Sequence, residues 1–229
     1  MKRTLEVCCG SLQSVTNAVE GGAERIELCS ALSLDGLTPS MGLLKTVRTL
    51  YPALKIHVLI RPREGDFVYA NEEIDVMVRD IEAALPYADG IVIGALTAEG
   101  DIDMVAMRRL MDAVQHAAPN AQPPVPVTFH RAFDACRDPF VAMEQIIELG
   151  CRRILTSGQQ PRAIDGIDLL RQLRDLSDER LIIMPGGGVN PQNAHDIVCQ
   201  VQTTEIHGSC SGSQGVTSSD VVRQVLAVI

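Results

Sequence analysis

The sequence predicts a single-domain (β/α)8 barrel, the TIM-barrel class of α/β fold, over residues 1–229, and three observations carry that prediction. Eight short apolar runs recur along the chain, and each is followed by a longer stretch with helical periodicity. Parallel strands need helical crossovers, and eight such units close a sheet on itself. The chain has 229 residues, 46% of them hydrophobic, which is enough for one large core. A doubly wound open sheet is the competing architecture, but the GxGxxG turn that would follow its first strand is missing.

The expected strands are 4–9 (TLEVCC), 25–29 (RIELC), 55–60 (KIHVLI), 90–94 (GIVIG), 126–130 (PVTFH), 153–157 (RILTS), 181–185 (LIIMP) and 205–208 (EIHG). Between them, Leu12, Val15 and Val19 mark a helix over 11–20 with Gly21 as its stop. Ile74, Met77, Val78, Ile81 and Leu85 mark one over 72–85, and Met104, Met107, Leu110, Met111 and Val114 one over 103–116. Thr38-Pro39, Asp138-Pro139 and Asn190-Pro191 each place a capping residue before a proline suited to the first helical position. A short last helix is expected over 219–228. The stretch PNAQPPVP at 119–126 reads as a loop into the fifth strand.

Composition excludes several functions. A net charge of −9 argues against a nucleic-acid partner, and with 3% aromatics and no Trp there is no platform for stacking bases. No apolar run approaches the roughly 20 residues of a membrane span. The N-terminal residues carry no leader pattern. Seven cysteines (8, 9, 29, 136, 151, 199 and 210) form neither a disulfide framework nor a CxxC, so reduced thiols in the cytoplasm are expected.

Strand alternation sorts the polar residues. Residues two apart on a strand share a face, so Glu6 pairs with Cys8, Glu27 with Cys29, and Glu205 with His207, while Cys9 falls on the helix-facing side. In a closed barrel strands eight, one and two are neighbours. Three adjacent strands then each offer a glutamate and, nearer the C-terminal mouth, a soft ligand. His57 and Arg61 come from strand three, and Thr128 and His130 from strand five. Ionisable groups at this density must pair, bind something or meet water, and Arg61 is the expected partner of the carboxylates.

Three readings of the cluster stand open. Cys8 and Cys29 can pack as small core hydrophobes. They can form a thiolate pocket for a soft ion such as Cu(I), with His207 or His130; zinc would want a fuller ligand set. Or a carboxylate, Arg61 and His130 can form an acid–base site at the mouth. The loop MPGGGVNPQN after strand seven bears on the last reading. Barrels bind phosphate at the loops after strands seven and eight, so Gly186, Gly187 and Gly188 are candidate anion-binding residues, against the plainer reading of tight turns. The small, polar loops TSGQQ after strand six and GSCSGSQG after strand eight share that composition. In RPREGDFVY, Arg63 and Asp66 either cap the mouth or pair within a solvated loop. His116 and His195 are expected at the surface.

The stretches LEVCCGS, GAERIELCSALSLDGLTPS, IRPREGDFVY, TFHRAFD and RILTSGQ, in that order along nearly the whole chain, resemble the CutC copper homeostasis family. The resemblance implies a TIM barrel, a cytoplasmic location, homo-oligomers (a homodimer or larger) and a role in handling copper. It also implies Cu(I) ligands on the first two strands, here Cys8 and Cys29. On that reading His207 is the third contact, Glu6, Glu27 and Glu205 stand behind the ligands, and Arg61 offsets their charge. The alternative is an enzyme acting on a small anionic, possibly phosphorylated, metabolite. In it Gly186, Gly187, Gly188 and Arg61 would hold the anion, and His130 with Glu6 or Glu27 would move protons.

Overall fold

Strand and helix alternate eight times in the computed structural model, which describes residues 3–212 and 215–229. The order is β1 (Thr4–Cys9), α1 (Leu12–Glu20), β2 (Arg25–Leu28), α2 (Met41–Leu50), β3 (Lys55–Leu59), α3 (Asn71–Ala84), β4 (Gly90–Ile93) and α4 (Met104–Ala117). The second half continues with β5 (Val127–Phe129), α5 (Pro139–Glu148), β6 (Arg153–Thr156), α6 (Ile167–Ser177), β7 (Ile182–Pro185), α7 (Ala194–Val201), β8 (Glu205–Gly208) and α8 (Ser219–Val228). All eight strands are parallel, in the order β7-β6-β5-β4-β3-β2-β1-β8. At the β7/β8 seam, Thr203 Oγ1 donates to Ile183 O at 2.6 Å. The expected (β/α)8 barrel is therefore present. Residues 213–214, in the polar loop expected after the eighth strand, lie outside the described residues.

The main core lies between the sheet and the helices. Leu5, Val7 and Cys9 of β1, Ile26 and Leu28 of β2, and Ile56 and Val58 of β3 join Val15, Leu44, Val47, Ile74, Met77 and Ile81 of the surrounding helices. These helices bury the stripes that their periodicity sets; in α3 the stripe is Ile74, Met77, Ile81 and Ala84. A second, small cluster of Cys8, Cys29, Leu59 and Val92 sits inside the barrel.

Two helix starts differ from expectation. Asp138 caps α5, accepting from the Phe140 and Val141 N–H groups, and Pro139 is its first residue. Thr38-Pro39, however, does not open α2, which starts at Met41 under Ser40. Thr38 Oγ1 is instead tied to the backbone of Arg61, accepting from its N–H at 2.9 Å and donating to its carbonyl at 3.1 Å. Asn190-Pro191 forms a turn closed by Asn193 Oδ1, which accepts from Asn190 N–H, and α7 starts only at Ala194. Only Thr38 spends its side chain elsewhere; Asn190 Oδ1 still accepts the Gln192 N–H at 2.9 Å, capping the turn that leads into α7.

Candidate functional site

The inward face of the strands carries an ion network centred on Glu6, which has no solvent exposure. Glu6 Oε2 lies 2.8 Å from Arg25 Nε and 2.8 Å from His57 Nδ1, and Oε1 lies 3.0 Å from His207 Nδ1. Burial pushes this carboxyl up, but the charges of Arg25 and His57 and the hydrogen bonds from both histidines outweigh it and hold it well below the usual range. Glu205 contacts Arg25 and lies 3.0 Å from Arg153 Nε. Burial again opposes ionisation, and the two arginines again win. Both carboxylates are thus ionised and committed to partners within the barrel.

Arg61 was the expected partner, and the structure assigns that role to Arg25 and Arg153. Arg61 lies past the end of β3, above the carboxylates. Its guanidinium donates to the carbonyls of Leu34, Gly36 and Gly65 at 2.9, 3.1 and 2.9 Å, and it covers the Phe67 ring at 4.9 Å. A signal for Arg25 was present in the sequence, since it stands two residues before Glu27 and shares its face. Arg153 opens β6, a position that alone suggests a solvent-facing strand end. Arg63 pairs with Asp66 in its own loop and with Glu73 in the first turn of α3.

Nearer the mouth, Cys8, Glu27 and His207 bring one ligand atom each within 4.8 Å of one another. Register explains the convergence, because Cys8 is paired with Glu27 across β1/β2 and Glu6 with His207 across β1/β8. Cys8 Sγ donates to Glu27 Oε2 at 3.1 Å and lies 3.6 Å from Cys29 Sγ. The contact with Cys29, burial and the Glu27 charge push the Cys8 thiol well up. Burial raises Glu27 despite the opposing pull of His207, whose Nε2 is 3.7 Å away. His207 is itself raised: burial lowers it, and the hydrogen bond to Glu6 with the charges of Glu27 and Glu6 more than compensates. Cys29 is fully buried, with Sγ 3.5 Å from Cys9 O, while Cys9 packs on the helix side.

A cavity of about 450 Å³ opens above this corner; Cys8, Glu27, Arg61, His130, Gly187 and His207 are among its lining. Glu6 and Cys29 are not among its lining residues. His130, just past β5, accepts the Ala132 N–H on its Nδ1 at 3.1 Å. Burial and the nearby Arg61 charge hold its pKa down at about 3. The ring is therefore neutral with its proton on a buried Nε2, a hydrogen-bond donor and not the base that the acid–base reading asked for. In the glycine loop, Gly186 N–H is taken by Thr156 O at 2.9 Å. Gly187 and Gly188, both at positive φ (102° and 70°), line the cavity, which leaves the anion role expected of the loop to these two.

The chain matches the model of the CutC family over residues 3–212. A family protein CutC from Parabacteroides distasonis is 48% identical over 210 residues, covering 91% of this chain and 83% of that one. A family protein CutC from Vibrio vulnificus is 47% identical over 208 residues, covering 90% and 80%. The crystal structure of CutC from Streptococcus agalactiae, whose name proposes a copper homeostasis role for that protein, superimposes with a TM-score of 0.83 at 32% identity. It covers 90% of this chain and 98% of that one. Phosphoribosyl anthranilate isomerase from Thermotoga maritima shares the fold at 13% identity and a TM-score of 0.61, covering 99% and 97%.

Proposed function

Because the chain belongs to the CutC family, we propose that it handles copper by binding Cu(I) as cargo at the mouth of its barrel. The observation that carries this reading is the convergence of Cys8, Glu27 and His207 within 4.8 Å, with a second thiol, Cys29, 3.6 Å from the first. Thiolate sulfur favours soft ions such as Cu(I), and imidazole suits copper as well. Cys8 and Cys29 would supply the sulfurs and His207 Nε2 a third contact. Glu27 accepts the Cys8 thiol hydrogen in the metal-free protein and would pass that proton to solvent through the cavity it lines when the thiolate binds metal. Glu6 orients His207 through Nδ1, and Arg25 and Arg153 balance Glu6 and Glu205. This reading carries with it the cytoplasmic location and the homo-oligomeric state that the resemblance implies.

X-ray absorption of anaerobically Cu(I)-loaded protein tests the reading. Sulfur neighbours should dominate the copper shell and diminish in Cys8→Ser. A shell of nitrogen and oxygen alone, or one unchanged in the variant, contradicts it.

A second reading, acid–base chemistry on a small anionic metabolite, is favoured by one observation. Glu27 is a buried carboxyl with a raised pKa that lines the cavity. Glu27 is then the proton carrier, because Glu6 is locked as a counter-ion and His130 presents N–H.

A further inference from the structure

The two thiols of the corner are unequally open to the cavity. Cys8 is 7% exposed and lines it, with His207 and Glu27 beside it. Cys29 has no exposure and takes no part in the lining. The loop after β2 closes over it, where a Cβ on Gly36 would come 3.9 Å from Cys29 Sγ. That sulfur contacts Cys8 Sγ at 3.6 Å and Cys9 O at 3.5 Å. The open approach to the pair is therefore through Cys8.

The cavity is also far larger than an ion. About 450 Å³ falls within the ~300–1,000 Å³ of small-molecule sites. Its walls change in character away from the sulfurs. Leu59 packs with Cys8 and Cys29, and Leu32 packs against that cluster; both line the cavity and suit the methylene beside a ligand sulfur. Asp35, Arg131 and Ser209 are exposed members of the same lining. A carboxylate and a guanidinium together complement the ammonium and carboxylate of an amino acid.

We infer that Cu(I) enters this cavity as a complex with a small amino-acid thiol, and that Cys8 and then Cys29 take the ion by thiol exchange. This inference rests on the copper reading and names the form in which the cargo arrives. Starting from a bis-thiolate Cu(I) complex, the first exchange forms the bond from Cys8 sulfur to copper and breaks one bond from copper to carrier sulfur. The Cys8 proton leaves on the departing thiol. The second carrier thiol stays in the cavity on the copper until Cys29 replaces it, and the Cys29 proton leaves on it in turn. Two thiols enter the copper shell and two leave, so charge is unchanged and copper stays Cu(I). Recession of Cys8 favours a small carrier over a protein, whose thiols would have to reach into the cavity.

The test mixes metal-free full-length protein anaerobically with the Cu(I) complex of free cysteine, removes small molecules and reads the retained species by native mass spectrometry. Wild type should hold one copper and no free cysteine. Cys29→Ser should be caught at the halfway point, with one copper and one free cysteine. Cys8→Ser should hold neither. A second arm needs only wild type: copper uptake from the free-cysteine complex should be at least tenfold faster than from cysteine thiols fixed to a polymer too large to enter. A small chromogenic chelator that strips both donors at equal rates serves as its control. Copper without cysteine in Cys29→Ser, cysteine retained by wild type, or equal uptake from the two donors overturns the inference. Each of these results leaves bound copper in place, so it is distinct from failure of the copper reading, in which wild type binds no Cu(I) from any donor.

Discussion

Cys8 donates its thiol hydrogen to Glu27 Oε2 at 3.1 Å while Cys29 Sγ stands 3.6 Å behind it. A carboxylate and a neighbouring sulfur thus hold the Cys8 thiol in its protonated form, and any metal that binds there must displace a proton. The Cys8 pKa is raised, so the thiol stays protonated through neutral pH and protons compete with metal more strongly as pH falls. Apparent Cu(I) affinity should rise about tenfold per pH unit between pH 6 and 8 for each thiol proton displaced. Anaerobic competition at several pH values checks this, and a flat profile rules out Cys8 as a thiolate ligand.

Arg25 joins Glu6 to Glu205 inside the barrel. Replacing it with Met leaves two buried carboxylates short of charge, and Arg25→Met should cost about 3–5 kcal/mol of unfolding free energy. Arg153→Met should cost less, because Glu205 keeps Arg25. Denaturant unfolding measures both. Equal losses below about 1 kcal/mol would show that the network does not hold the barrel as described.

His130 gives stability a pH dependence of known sign. Its folded pKa is depressed to about 3, against about 6.5 unfolded. Between these values the unfolded chain binds the extra proton, so this contribution is present above pH 6.5 and is lost as pH falls toward 3. One proton gives at most ~1.4 kcal/mol per pH unit. Between pH 7 and pH 5 the wild type should therefore lose roughly 2 kcal/mol more than His130→Asn. Parallel curves for the two proteins would show that the ring is not buried neutral.

Gly90 leaves room for His57. A Cβ there would lie 2.4 Å from His57 Cδ2, and the ring is held on its other side by Glu6. Gly90→Ala should destabilise by about 1–3 kcal/mol. It should recover part of that loss when combined with His57→Ala. Additive losses in a double-mutant cycle would contradict the contact.

The barrel was legible because it rests on local signals: eight apolar runs, the helical stripes between them, and alternation that sends Glu6, Cys8, Glu27 and His207 inward and Cys9 outward. The Asp138-Pro139 start was legible for the same reason. Long-range partners were not. Thr38 carries a capping residue's chemistry but spends it on Arg61, and nothing local announces that. Arg61 looked like the counter-ion of the glutamates, yet it sits above them, and Arg25, on the same face as Glu27, does that work. His130 reads as a base in sequence; only the Ala132 N–H on its Nδ1 turns it into a donor. Gly186, Gly187 and Gly188 are alike in sequence, and only the bond from Gly186 N–H to Thr156 O separates the first from the other two.

Anaerobic Cu(I) competition titration of wild type, Cys8→Ser and Cys29→Ser against a chromogenic chelator tests the central claim most directly. The account predicts one tight Cu(I) per chain in the wild type, lost in Cys8→Ser and weakened at least tenfold in Cys29→Ser. Equal affinity in all three proteins would contradict it.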